Sequence, residues 1–475
     1  MLVPKSCGTT AAILREIRLL RSGWGAATGM SPLPVRRAFF AAFEDFVVLC
    51  RADGFSRLIP GSRQSARMAD FFQTGAIATL HRLGPPNVAR IEAELCTFAE
   101  KMPIALVLPC HVRELGTPAL ERILGELKGA KYLRQIVVGI DGADTAAKWN
   151  RARKIFGVLP RETLLLWNDG PRISRLLRTL ARRDLGDGPA GKGRNVWLCL
   201  GAVLAMGRVR VVAMHDCDIV NYSRELLTRL CYPLVNPALG FDFCKGYYAR
   251  VSDRLHGRVT RLLVAPLLRA MRDIIGPHPL LQYLEAFRYP LAGEVALRVE
   301  HARHLRVPRD WALELGVLAE TFRHCVPRAV CQAELCDNYD HKHQSLSPRD
   351  PSRGLHKVAR EVVLALLRCM SGEGVKLDAA LLGTLPMGYG CHAAEAVRVY
   401  SADAIINSLE YPRRDEDLAV ATFIRAIHEA ARAFTAAPHD CPSAPTWDRV
   451  EQEAPAFLPA LRDAIAADNR ARLPK

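Results

Sequence analysis

No stretch of the 475-residue chain approaches the roughly 18 uninterrupted apolar residues of a bilayer-crossing helix, which removes the helical membrane protein from the reading. None of the 14 cysteines forms a Cys-x-x-Cys pair, and their scatter builds no disulfide framework. Several lie inside apolar runs, such as Ile104–Cys110 and Val196–Leu200, so they read as reduced core residues of a cytoplasmic protein. The spacing Gly-x4-Gly-Lys-Ser/Thr is missing, which argues against a P-loop ATPase, and no repeat of fixed period marks a solenoid or propeller. Acidic residues are in short supply: 49 Asp and Glu against 65 Lys and Arg leave a net charge of +16. That surplus suits a partner bearing phosphates. A basic nucleic-acid-binding protein is one such reading, but no RRM, KH, zinc-finger or helix-turn-helix pattern accompanies the charge.

What is present is globular. Hydrophobic residues make up 49% and charged residues 24%, enough apolar material for a large core and too much for a disordered chain. Residues 1–67 differ from the rest: rich in Arg, Gly, Ser and Ala, without sustained periodicity, and carrying +6 of the net charge. They read as an unstructured extension, with translation starting at Met68, or as a transit peptide. The sequence predicts an N-terminal helical segment over 68–102, an α/β domain over 103–349 and a helical region over 350–475.

From Pro103 onward, strands and helices alternate. Ile104–Cys110, Gln135–Asp141, Thr163–Trp167 and Val209–His215 are apolar, strand-length runs. Between them, Pro118–Leu127, Ala146–Phe156, Pro171–Arg183 and a segment from Gly191 to Met206 carry helical spacing. This order predicts a mainly parallel sheet with ligands at the carboxyl ends of its strands. Beyond Asp218 the alternation loosens. Strands are expected at Phe241–Arg250, Glu294–Val299 and Arg328–Leu335, and helices at Val259–Ile275 and Trp311–Arg323. From Gly354 the pattern is helical throughout.

The sharpest chemical signal is His215-Asp216-Cys217-Asp218 at the end of a strand. Alternation along the strand turns Asp216 and Asp218 the same way, and two like charges side by side suit a divalent cation such as Mg²⁺ or Mn²⁺. The unsupported triplet is more often a solvated turn; its place at a strand end is what raises its weight. Gly191-Lys192-Gly193 lets backbone approach a ligand while Lys192 supplies charge, although a flexible loop reads equally well. Gly257-Arg258-Val259-Thr260-Arg261 puts guanidiniums in a first helical turn, where the helix dipole disfavours cations, and this points to an anion site. Glu294 and Glu314 are acids beside small or apolar neighbours, commonly a salt-bridged fate. Cys331-x4-Cys336 with His341 and His343 has the wrong spacing for the common zinc modules.

In this order the motifs resemble the glucosyl-3-phosphoglycerate synthase family, retaining glycosyltransferases of the GT-A fold, over about residues 103–345. The carriers are Leu108-Pro109, Asp141, Gly191-Lys-Gly, Asp216-x-Asp218, Gly257-Arg-Val-Thr260, Leu291-Ala-Gly-Glu294, Trp311-x-x-Glu314-Leu-Gly and the late His341. The resemblance implies transfer of glucose from UDP-glucose to 3-phospho-D-glycerate with Mg²⁺ or Mn²⁺, or the same fold working with GDP-mannose or free glycerate. It implies that Pro109 to Glu114 and Asp141-Gly142 border the uracil and ribose, and that Lys192 and Asp216 touch the donor. Asp218 and His341 would hold the metal with the diphosphate. Leu291, Gly293 and Glu294 would line the glucose, with Asp218 and Glu294 as the catalytic candidates and no covalent role for Glu294. Gly257, Arg258, Val259, Thr260 and His343 would bind the acceptor. His343 stands where the family commonly has Asn, and the loop Pro109-Cys-His-Val-Arg-Glu114 lacks the family's commoner Asn; both bear on substrate contacts. The helical tail implies a homodimer.

Overall fold

Among the described residues eight strands form one sheet, in the order β1-β8-β6-β7-β5-β2-β3-β4. They are β1 (Ala78–Leu80), β2 (Ile104–His111), β3 (Leu133–Asp141), β4 (Thr163–Trp167), β5 (Val211–Met214), β6 (Phe243–Tyr248), β7 (Val295–Arg298) and β8 (Val330–Cys336). The computed structural model describes residues 75–160, 162–186, 190–341, 345–438 and 443–470, with Gln73 and Gly188. The expected extension 1–67 and His343 lie outside the described residues.

Alternation explains why the central strands read as unbroken apolar runs. Ala105 and Val107 of β2 enter one core cluster, while Ile104, Leu106 and Leu108 enter the other. A strand buried on both faces has no polar side to show. Helices between the strands cover both faces, and their ends follow capping chemistry. Thr117 Oγ1 accepts from the Leu120 amide and Pro118 opens the helix Pro118–Leu127, which buries Leu120, Ile123, Leu124 and Leu127. The helix Lys192–Met206 is buried almost all round and stops at Gly207, whose φ of +60° gives a left-handed cap.

The mainly parallel sheet matches the expectation, with two differences. β7 runs antiparallel between β5 and β6. The segment expected to be helical over 68–102 holds the helix Val88–Ala99 but also β1, which pairs in parallel with β8 at the sheet edge. Both strands are short, three and four residues, and neither carries a period of its own.

The region beyond 350 is helical as expected: Gly354–Gly372, Ala379–Ile406, Arg413–Ala436, Trp447–Glu453 and Phe457–Arg470. It is not a separate body. Phe72–Lys475 forms one compact unit, and the apolar residues of these helices join the same cluster as Val107, Val137 and Val212 of the sheet. Trp447 stacks on Trp197 at 4.2 Å and donates its indole N–H to the Trp197 carbonyl. At the far edge, Asn469 pairs with β4 like a one-residue strand: its Nδ2 donates to the Leu165 carbonyl and its Oδ1 accepts the Leu165 amide.

Candidate active site

The chain runs β2, β3, β4 in one direction across the sheet and then returns to place β5 on the other side of β2. That reversal opens a crevice at the carboxyl ends of β2 and β5, where open α/β sheets take ligands. His215 continues β5, its amide donating to the Val107 carbonyl. His215 and Cys217 then turn into the core, 0% and 3% exposed, while Asp216 and Asp218 stay partly accessible. The two carboxylates therefore share a side, as the alternation predicts.

His341 arrives from more than a hundred residues away by a backbone splice. Ile219 and His341 form an antiparallel bridge, the Val220 amide donates to the Asp340 carbonyl, and the Asn221 side chain bonds both the Asn338 carbonyl and the Asp340 amide. The imidazole is thereby carried opposite the residue that follows Asp218. Its ring stands edge-on to Tyr339 at 5.6 Å.

Charge is concentrated here. Lys192 Nζ donates to both Asp216 (2.9 Å) and Glu314 (3.0 Å). Burial would raise the Asp216 pKa, but Lys192 overrides it and, with His341, holds the carboxyl below its usual value. At Asp218 the balance goes the other way: burial first, then Asp216, push it up to about 7, with Lys192 opposing and Glu114 and Glu294 adding to the repulsion. Glu294 is fully buried and accepts hydrogen bonds from Tyr248 Oη (2.7 Å) and Tyr339 Oη (2.6 Å), whose rings stack at 3.8 Å. Burial raises its pKa as well, with Asp216 adding to it and the two tyrosines opposing. Gly293 makes room for this cluster, since a Cβ there would sit 2.6 Å from Asp216 Oδ2.

A divalent cation fits this corner. Asp218 is a carboxylate whose charge is disfavoured by burial and by Asp216, the backbone bridge brings His341 opposite Ile219, and oxygen with imidazole nitrogen is a donor set that suits Mn²⁺ or Mg²⁺. Among the described residues no three His, Cys, Asp or Glu side chains converge as a complete ligand set.

One cavity of about 430 Å³ joins this corner to the basic motif: it is lined by Lys192, Asp216, Leu291, Gly293, Glu314 and His341 on one side and by Gly257, Arg258, Val259 and Thr260 on the other. Gly257 has φ +74°, the left-handed turn that aims the following amides. Val259–Val264 is a π-helix rather than the expected α-helix start, giving way to α-helix at Ala265–Ile275. Pro266 has no N–H for the Leu262 carbonyl four residues back, and the Tyr389 hydroxyl donates to that carbonyl instead at 2.7 Å. Such π segments recur at functional sites. The buried Thr260 hydroxyl has no hydrogen-bond partner among the described residues.

The remaining candidates lie to the side of this cavity. Pro109 borders a small neighbouring void with Lys192, Asp216 and Gly293. Asp141 is buried, accepting from Asn168 Nδ2 at 2.8 Å, and the Gly142 amide donates to Asp169 Oδ2. Burial raises the Asp141 pKa against Asn168 and Arg194. Glu114 faces Asp218 electrostatically. Sequence reasoning left Glu314 unassigned and Tyr248 open between a sugar-pocket wall and a core aromatic, and it missed Asn168, Asp169, Arg194, Tyr339 and Lys245. Only the Asn168-Asp169 turn after a strand carried a local signal. Lys245 lies wholly buried beneath the site, donating to the Ala292 carbonyl, and burial pushes it down to about 8.

No protein-family model matches the chain. It is 40% identical over 402 residues to the glucosyl-3-phosphoglycerate synthase of Persephonella marina, covering 85% of this chain and 99% of the relative. It is 34% identical over 407 residues to that of Methanococcoides burtonii, covering 84% and 98%. Among solved structures, glucosyl-3-phosphoglycerate synthase from Mycobacterium tuberculosis in complex with phosphoglyceric acid superposes over 62% of this chain and 88% of that one, at 22% identity and a TM-score of 0.45. With a relative 40% identical along almost its whole length, the chain belongs to the glucosyl-3-phosphoglycerate synthase family and is a glycosyltransferase.

Proposed function

We propose that the chain transfers glucose from UDP-glucose to 3-phospho-D-glycerate with retention of configuration, releasing UDP and glucosyl-3-phosphoglycerate. The observation that carries this reading is the single cavity in which Lys192, Asp216 and His341 face Gly257 to Thr260. A donor and an acidic acceptor can then occupy one enclosure. In the reaction, the bond from the anomeric carbon to the UDP oxygen breaks and a bond to the single alcohol oxygen of 3-phosphoglycerate forms. The alcohol's proton passes to the departing diphosphate oxygen or to solvent.

On this reading the uridine lies over Pro109 to Glu114 and Asp141-Gly142, in the β2–β3 arm of the crevice. Lys192 and Asp216 bind the donor, and Leu291 and Gly293 line the sugar with Glu314 beside them. Mg²⁺ or Mn²⁺, held by Asp218 and His341, supplies positive charge to the departing diphosphate when bound. Glu294 acts by position: with both carboxylate oxygens taken by tyrosine hydroxyls, it fixes the Leu291–Gly293 loop and the charge behind it, and is no nucleophile. Arg258, the first-turn amides after Gly257 and the Thr260 hydroxyl receive the acceptor's phosphate and carboxylate. A reducing cytoplasm and a homodimer complete the proposal; the cysteines among the described residues are all free thiols.

The test is a panel of UDP-glucose and GDP-mannose against 3-phosphoglycerate and glycerate, each with Mg²⁺, Mn²⁺ or EDTA. The expected result is UDP release and glucosyl-3-phosphoglycerate only with the first donor, the phosphorylated acceptor and metal. Equal turnover in EDTA, or preference for glycerate, overturns the assignment.

A further inference from the structure

Three arginines on the acceptor side are paired by carboxylates from one short stretch of the C-terminal region. Arg254 meets Glu410 at 2.8 Å, Arg258 meets Glu416 at 2.6 Å and Asp415 at 3.7 Å, and Arg261 meets Glu416 at 3.1 Å. These pairs are unequal. The side chains of Glu410 and Asp415 are 68% and 59% exposed, so water screens them, whereas that of Glu416 is 2% exposed. An acidic first turn is ordinary in a helix, and Asp415 and Glu416 occupy the first turn of Arg413–Ala436. That preference does not explain why one of them is buried between two guanidiniums from an element more than 150 residues earlier in the chain.

The geometry has a consequence for Arg258. Glu416 accepts from its Nε, which fixes the plane of the guanidinium, while Nη2 lies 3.7 Å from Asp415; Arg258 and Asp415 both line the cavity. Arg261, held by the same carboxylate, is further tied to the His256 and Leu255 carbonyls and lies 4.8 Å over the Tyr400 ring. The loop before the π-helix is therefore bolted to the C-terminal helices through Glu416.

We propose that Glu416 is a positioning residue for acceptor binding: it sets the orientation of Arg258 and makes the C-terminal helical region a working wall of the acceptor pocket. The proposal rests on the reading that Gly257 to Thr260 take the acceptor. A guanidinium held in one orientation binds an anion without first losing its rotameric freedom, so loosening it weakens acceptor binding more than it slows the bound complex.

The experiment compares Glu416→Gln, Glu416→Asp and Arg258→Ala in the full chain with wild type. Glu416→Gln is expected to raise the acceptor KM about tenfold or more, leave the UDP-glucose KM within about twofold, and lower kcat at saturating acceptor by less than about threefold. Glu416→Asp, which keeps the charge but shortens the reach, should show the same split at smaller size, and it serves alone if the glutamine variant fails to fold. Inorganic phosphate, titrated by calorimetry, should weaken in parallel. A role in stability alone would lower the melting temperature or the active fraction without separating the two KM values, and that outcome overturns the proposal. Arg258→Ala separates the premises. If it leaves the acceptor KM unchanged, the acceptor assignment itself falls. If it raises that KM while both Glu416 variants behave as wild type, the assignment stands and the positioning role fails.

Discussion

The donor and acceptor halves of the cavity are built by different means. The donor half is assembled from strand ends: Pro109 lies in the last three residues of β2, Asp141 closes β3, and Asp216 and Asp218 follow β5, so the sheet brings them together. The acceptor half belongs to no strand. Its loop is shaped by a π-helix whose odd hydrogen bonding is completed by Tyr389, and its arginines are held by Glu416, partners 127 to 158 residues away. One half follows from topology; the other depends on the C-terminal helices being in place.

Four substitutions press on that contrast. The largest effect is expected at the donor corner, where Asp218→Ala should cut transfer at least about 1,000-fold while shifting the melting temperature by only a few degrees. Burial and Asp216 already disfavour the Asp218 charge, against the attraction of Lys192, so its removal is expected to cost the fold little. UDP release and a thermal melt read the two quantities, and a fully active variant would refute the metal assignment. Next, Arg258→Ala should raise the acceptor KM by about 30- to 150-fold, the size of a lost charged hydrogen bond, with the donor KM nearly unchanged. Equal changes in both constants would erase the division into halves.

Trp447→Ala tests whether the C-terminal helices share the sheet's core. Removing a fully buried indole that stacks on Trp197 should cost about 3–5 kcal/mol in urea unfolding, in a single transition. Two separated transitions would mean that the acceptor wall folds apart from the sheet. The smallest effect concerns Lys245. Its folded pKa lies near 8, below the ordinary lysine value of 10.5, so burying the charged form costs stability below pH 8. As pH rises from about 8 to 10.5 the unfolded chain holds the proton that the folded one has lost, and wild type gains on the order of 3 kcal/mol relative to Lys245→Met. A wild-type-minus-variant difference that is flat across that window would show that Lys245 keeps its ordinary pKa in the folded protein.

Legibility followed the same division. The strands around the crevice, the Asp216–Asp218 pair and the Lys192 loop could be read locally because period-two burial and strand-end position leave marks in adjacent residues. β7 was legible as a strand at Glu294–Val299 but its antiparallel direction was not, since four residues such as Val295–Arg298 do not encode direction. Nor could the partners of Arg258 and Glu294 be named: Glu416 looks like any acidic helix start, and Tyr248 and Tyr339 like any core aromatics, until the fold brings them together. The π-helix did leave a trace, Pro266 placed where it deprives Leu262 of its usual donor, yet the remedy for that loss lies in Tyr389, far along the chain.

The side-chain amide of Asn469 has a consequence for handling the protein. By occupying both backbone groups of Leu165, it denies other chains a template at the one open flank beside β4. A truncation that removes the last helical turns would therefore leave both backbone groups of Leu165 open to strand pairing with another molecule, and light scattering of the shortened chain is expected to show more association than that of the full chain.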